Sequence, residues 1–163
     1  MPSLTSEQIE SAASELQEAV CAFNIEMNSI YEERSVIGYK LRDCLPVDNS
    51  TTLSNIEKIQ HFRSFKIMLI DFTKRIMNNI LYLRRYCEPI LLNAPRDSKY
   101  YNFARKYLEI TNNIYANATP LIIQTQDIVD ALVNKYIESD PESEKDEILN
   151  TKITMSCTVT YDY

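Results

Sequence analysis

The chain has 163 residues, enough for one domain with a stable core, and it is acidic, with 23 Asp and Glu against 17 Lys and Arg and a net charge of −6. Its one glycine, Gly38, argues against phosphate-cradling loops, dinucleotide fingerprints and nucleophile elbows, all of which need several residues free to adopt φ > 0. No run approaches the roughly 20 apolar residues of a membrane span, and the N-terminus lacks the basic flank and apolar stretch of a signal peptide, so a cytoplasmic protein is expected.

The first predicted helix opens at a capping box. Thr5 stands at the N-cap with Gln8 three residues on, and Leu4 and Ile9 occupy the two hydrophobic-staple positions. Apolar residues then recur at alternating spacings of four and three: Ile9, Ala13, Leu16, Val20, Phe23, Met27, Ile30, Ile37, Leu41 and Cys44. Such a 3.5-residue period is the seam of helices lying along one another. Arg34 interrupts it, either as a register-fixing polar residue or with its stem packed and its head in water. Pro46 and the polar stretch 48–52 are expected to end this helix at Leu45.

A second capping box, Ser54 with Glu57, opens the next helix. Its seam reads Phe62, Phe65, Leu69, Phe72, Ile76, Leu83, Tyr86 and Ile90, while Ile67, Ile70, Met77, Ile80 and Leu81 widen the apolar arc enough to predict neighbours on two sides. Pro89 is expected to kink or finish it before a turn over residues 93–97. The third segment, from Ser98 to about Glu138, gives Tyr100, Ala104, Tyr107, Thr111, Ile114, Ala118, Leu121, Thr125, Ile128 and Leu132. This count passes through Pro120 in register, favouring one bent helix over a break at which Thr119 caps a fourth. The expected fold is all-α: an elongated antiparallel bundle of three long helices over residues 1–139. Residues 140–163 are expected to be an exposed acidic linker and an extended tail.

Within that tail Ile153, Met155, Cys157, Val159, Tyr161 and Tyr163 alternate with polar residues, a period of two that suits either a strand completed by a partner or a frayed terminus. Ile153, Met155, Val159 and Tyr161 are therefore candidate contact residues. Charge marks a second candidate region. Residues 1–33 hold seven glutamates and no Lys or Arg, whereas residues 56–110 hold eleven basic residues against five acidic. Arg84, Arg85, Arg96, Lys99, Arg105 and Lys106 are interleaved with tyrosines, a mixture that could clamp an acidic peptide or anionic lipid, or complement the acidic first helix internally. The acidic overall balance argues against direct nucleic-acid binding.

The four cysteines form no C-x-x-C pair, and His61, the only histidine, lies four residues from Glu57 rather than in a Glu-x-x-His motif. No catalytic residue, metal or cofactor is expected. Heptads such as Ile9-Ala13-Leu16-Val20-Phe23, the acidic composition and the scarcity of glycine give the chain a resemblance to small coiled-coil subunits of eukaryotic microtubule-organising and spindle complexes, augmin among them. The resemblance covers residues 5–138 and rests on type, not on a motif. It implies a non-catalytic, cytoskeleton-associated subunit that assembles with other coiled-coil proteins into a hetero-oligomer.

Overall fold

The computed structural model describes residues 4–155. Three long helices dominate: α1 (Ser6–Asp48), α2 (Asn55–Asn93) and α3 (Lys99–Tyr136). Two 3-10 turns, Ile137–Ser139 and Ser143–Lys145, lead to the one-turn helix α4 (Glu147–Asn150). The helices pack against one another in an all-α bundle without strands among the described residues.

Both capping boxes form as their sequences require. The Thr5 amide donates to Gln8 Oε1 and the Gln8 amide to Thr5 Oγ1, and Ser54 and Glu57 exchange the same pair of bonds. Each box satisfies two amide donors that a helix start leaves without intrahelical acceptors. Ser98 caps α3 through a 3.2 Å bond from the Tyr101 amide. None of the three interior prolines ends its helix. Pro46 lies inside the last turn of α1, whose end is held by Lys58 Nζ donating to the Asp48 carbonyl at 3.0 Å. Past Pro89, burial of Ile90 and Leu91 offsets the one lost backbone bond. At Pro120 α3 continues as one helix.

The chain divides into two compact units, each with segments of α1, α2 and α3. One comprises the described residues up to Ser29 with Ile76–Asn117. Its core joins Leu16, Val20, Phe23 and Met27 to Ile80, Leu83, Cys87 and Ile90, with Tyr101, Ala104 and Leu108 on α3. Antiparallel pairing of α1 and α2 is pinned by Leu4 N to Asn93 Oδ1 and by Asn79 Nδ2 to the Phe23 carbonyl, both 3.2 Å.

The other unit comprises Ile30–Arg75 and Ala118–Met155. Ile30, Ile37 and Cys44 pack with Ile59, Phe62, Phe65, Leu69 and Phe72, and with Ile122, Val129 and Val133. Glu33 pairs with Arg75 between α1 and α2. Asp48 closes the opposite end of these segments, accepting from Lys135 Nζ at 2.8 Å and from the Tyr136 hydroxyl at 2.5 Å.

One alternative left open by the sequence narrows, and two expectations change. In α1 the seam is buried as read except at half-buried Ala13 and Leu41, and Arg34 stands exposed, which favours the solvated head over a register-fixing role. In α2 the second apolar stripe is not the one expected: Ile80 is buried, Ile67, Ile70 and Met77 are half-buried and Leu81 is exposed, while Lys66, Thr73 and Cys87 go inside. In α3 the buried seam over residues 118–136 runs one position later than read, through Ile122, Gln126, Val129 and Val133. The doublets Leu121-Ile122, Ile128-Val129 and Leu132-Val133 make two adjacent stripes equally apolar, so periodicity alone does not choose between them.

The stretch 140–150 is not the exposed linker expected from its charge. Asp146 accepts from the Leu149 amide as the N-cap of α4 and pairs with Arg63 at 2.9 Å, and Leu149 is buried. Five carboxylates concealed a single apolar anchor, which lies inside a helical turn too short to show a period.

Candidate interaction surfaces

The basic, tyrosine-rich region lies in the unit that contains the N-terminal half of α1. Arg84 does not belong to its surface. It is 3 % exposed, and its guanidinium donates to Thr111 Oγ1 at 3.0 Å and to Asn112 Oδ1 at 2.6 Å, tying α2 to α3. A buried guanidinium needs such acceptors, since an unsatisfied buried charge is strongly unfavourable. Arg85, Arg96, Lys99, Arg105 and Lys106 are exposed. Arg105 pairs with Glu109 one turn along its own helix, at 3.2 Å, rather than with a glutamate of α1.

The aromatic residues lie lower than the charges. Tyr101 is buried, and Tyr82, Tyr86, Tyr100 and Tyr107 are half-buried. Lys99 sits 5.1 Å from the ring centre of Tyr100, and Lys106 5.5 Å from that of Tyr107, so two cations already lie over aromatic faces. Tyr82 meets Tyr86 edge-on at 5.2 Å. Burial, with Tyr86 and Glu18 nearby, pushes the Tyr82 hydroxyl above its ordinary pKa, so it stays a neutral donor.

A second surface is visible only after folding. On the α3 segment of the other unit, Leu121 and Ile128 are 45 % and 48 % exposed. Half-buried Ala118, Thr125 and Leu132 fall between and beside them at spacings of three and four. These residues make up the seam expected from the sequence over this stretch. With Ile122, Gln126, Val129 and Val133 facing the core, this parallel stripe is left on the outer side of the same helix.

The C-terminal candidates divide. Ile153 and Met155 are buried within their own unit, and the Ile153 amide donates to the buried Gln126 side chain, so a partner is not what covers them. Val159 and Tyr161 lie outside the described residues. Beside this stretch is a residue that sequence reading missed. Lys66 is 1 % exposed, and its ammonium donates to Asp130 Oδ1 and to the Leu149 carbonyl, both at 2.8 Å. The available signal was a cation on an apolar arc, between Phe62 and Leu69 at helical spacing.

The thiols of Cys44 and Cys87 are raised by burial, to about 11 and about 12, which leaves them neutral and unreactive near neutrality. Among the described residues no group of three or more His, Cys, Asp or Glu side chains is placed to hold a metal, and no helix is long and apolar enough to cross a membrane. No protein-family model matches the chain, and neither a curated protein nor a solved structure matches it.

Proposed function

We propose that the protein is a non-catalytic interaction subunit that joins a multi-protein assembly through helix-on-helix contacts. The observation that carries this reading is the stripe Ala118, Leu121, Thr125, Ile128 and Leu132, heptad-spaced and apolar apart from Thr125, on a helix whose other face is already buried. Scattered exposed apolar residues are ordinary, but exposed Leu121 and Ile128 one heptad apart, with half-buried Ala118 and Leu132 on the same stripe, make the kind of surface that a partner helix packs into. The occupant in this reading is a helix of another coiled-coil protein, which gives a hetero-oligomer.

Leu121→Glu with Ile128→Glu tests it. Both positions are exposed, so the variant keeps its helical circular dichroism, and affinity purification from the protein's own cells loses the partners that the wild-type chain retains. An unchanged set of co-purifying proteins contradicts the proposal. A finer version places the assembly at microtubules or the spindle, with the resemblance of size, composition and heptads as its support. A tagged chain that stays diffuse through mitosis counts against that version alone.

A second reading rests on the exposed Arg85, Arg96, Lys99, Arg105 and Lys106 beside half-buried tyrosines. It makes this region a clamp for an acidic peptide or anionic lipid. Binding that survives charge reversal at Arg85, Lys99 and Lys106 in high salt removes it, because exposed ionic contacts are screened.

A further inference from the structure

We propose that the groove between α2 and α3 in the unit of Ile30–Arg75 and Ala118–Met155 is a peptide-binding site, and that Asp146–Met155 occupies it as a releasable ligand bound in cis. This goes beyond the proposed function, since it concerns the side of α3 that carries Gln126 and Asp130 rather than the stripe of Leu121 and Ile128. It does not rest on that reading.

The segment meets the two helices at three polar points. Asp146 pairs with Arg63 of α2 at 2.9 Å, the Leu149 carbonyl accepts from Lys66 of α2 at 2.8 Å, and the Ile153 amide donates to Gln126 of α3. Lys66 also holds Asp130 of α3 at 2.8 Å, so α2 and α3 lie side by side where the segment crosses them. Its chain advances along α2 from Arg63 to Lys66 and runs backwards along α3 from Asp130 to Gln126. Leu149, Ile153 and Met155 are buried, whereas Glu147, Asn150, Lys152 and Thr154 are exposed.

Two of the three polar contacts address backbone. Lys66 and Gln126 are both buried, and each turns its polar end to a main-chain atom of the segment. Main-chain hydrogen bonds hold an extended peptide whatever its sequence, and the side chains that enter the groove supply the selection. The pattern selected here is an acidic residue followed by apolar ones three, seven and nine positions on, as in Asp146, Leu149, Ile153 and Met155.

The same geometry permits release. Only Glu147–Asn150 of the segment are helical, and the entropy lost in ordering so irregular a stretch offsets most of what three buried apolar side chains contribute. Departure strands no charge, because Lys66 keeps Asp130 while Arg63 and Asp146 are already in partial contact with water. Residues 137–145, which lead to the segment, bond to near neighbours, as Ser143 Oγ does to Asp140 Oδ2 at 2.5 Å. A stretch held in this way opens as a unit while the long helices stay paired. Once open, the groove accepts a peptide of the same pattern from another chain.

Native-state hydrogen exchange of the full chain, followed by NMR, tests release. Protection of the Leu149 and Ile153 amides should be at least about a hundredfold lower than that of Leu69 and Phe72 in α2. Equal protection would mean that the segment opens only with the bundle, and overturns the proposal. Binding is tested with a fluorescent peptide of residues 146–155 and the full-chain variant Leu149→Ser with Ile153→Ser, whose own segment has lost two of its apolar anchors. This variant should keep its helical circular dichroism and bind the peptide at least about tenfold more tightly than the wild type, in which the cis segment competes. A variant that unfolds, one that does not bind the peptide, or one that binds a scrambled peptide equally well also overturns the proposal.

Discussion

Lys66 is the least exposed of the charged residues described. Its ammonium has one carboxylate and one carbonyl as acceptors while its stem lies among Phe62, Phe65 and Leu69 on the buried side of α2. Removing it leaves a cavity and strips Asp130 of its partner, although Asp130 is 29 % exposed and water can solvate it in part. Lys66→Ala should therefore cost about 2–4 kcal/mol, measured by denaturant unfolding. Asp130→Asn, which keeps an acceptor for the ammonium, should cost less. Equal losses in the two variants would show that charge alone, rather than charge with packing, sets the contribution.

At the level of elements, the sequence made some boundaries legible and left one register open. The starts of α1 and α2 could be read because a capping box is a local chemical signal, complete within four residues. The seam of α1 was equally legible, since its face has glutamates on both sides and no competing apolar stripe. Over residues 118–136 α3 offers two stripes one residue apart, and what decides between them is the tertiary pairing of Val129 and Val133 with the opposite helices, which a local pattern does not encode. Pro89 does not finish α2, for a related reason: one lost hydrogen bond is small beside the burial of Ile90 and Leu91, which follow it. Arg84 and Lys66 show the same limit for sites, because whether a cation in a basic run faces water or the core depends on partners far away in sequence. The register correction has a sharp test. Val129→Asp places a charge in the core and should cost about 3–5 kcal/mol, whereas Ile128→Asp, one residue away, should change stability by less than about 0.5 kcal/mol. The opposite ranking would restore the original seam.

For the molecule as a whole, acid is the condition that should loosen it first. Asp48 is held below the usual 3.8 by its hydrogen bonds from Lys135 and Tyr136, against a smaller opposing effect of burial. Asp146 is also lowered: burial works against it, but the Leu149 amide and the Arg63 guanidinium outweigh that. A carboxylate whose folded pKa lies below its unfolded value binds fewer protons in the folded state. Its contribution is present above 3.8 and is lost as pH falls through the lower folded value. Both aspartates lie in the unit of Ile30–Arg75 and Ala118–Met155. Hydrogen exchange at pH values stepped down from neutrality should therefore show residues 137–153 losing protection below about pH 4. The variant Asp48→Asn with Asp146→Asn should lose this pH dependence, and a wild-type profile that stays flat to pH 2 would contradict the linkage.

In the proposed function the α3 stripe is an interface rather than a bare surface. Hydroxyl-radical footprinting, read residue by residue by mass spectrometry, compares the chain alone with the same chain in the assembly purified from its cells. Oxidation of Leu121 and Ile128 should fall several-fold in the assembly while buried Val129 stays protected in both samples. Equal oxidation of Leu121 and Ile128 in the two samples would contradict the claim that a partner helix covers them.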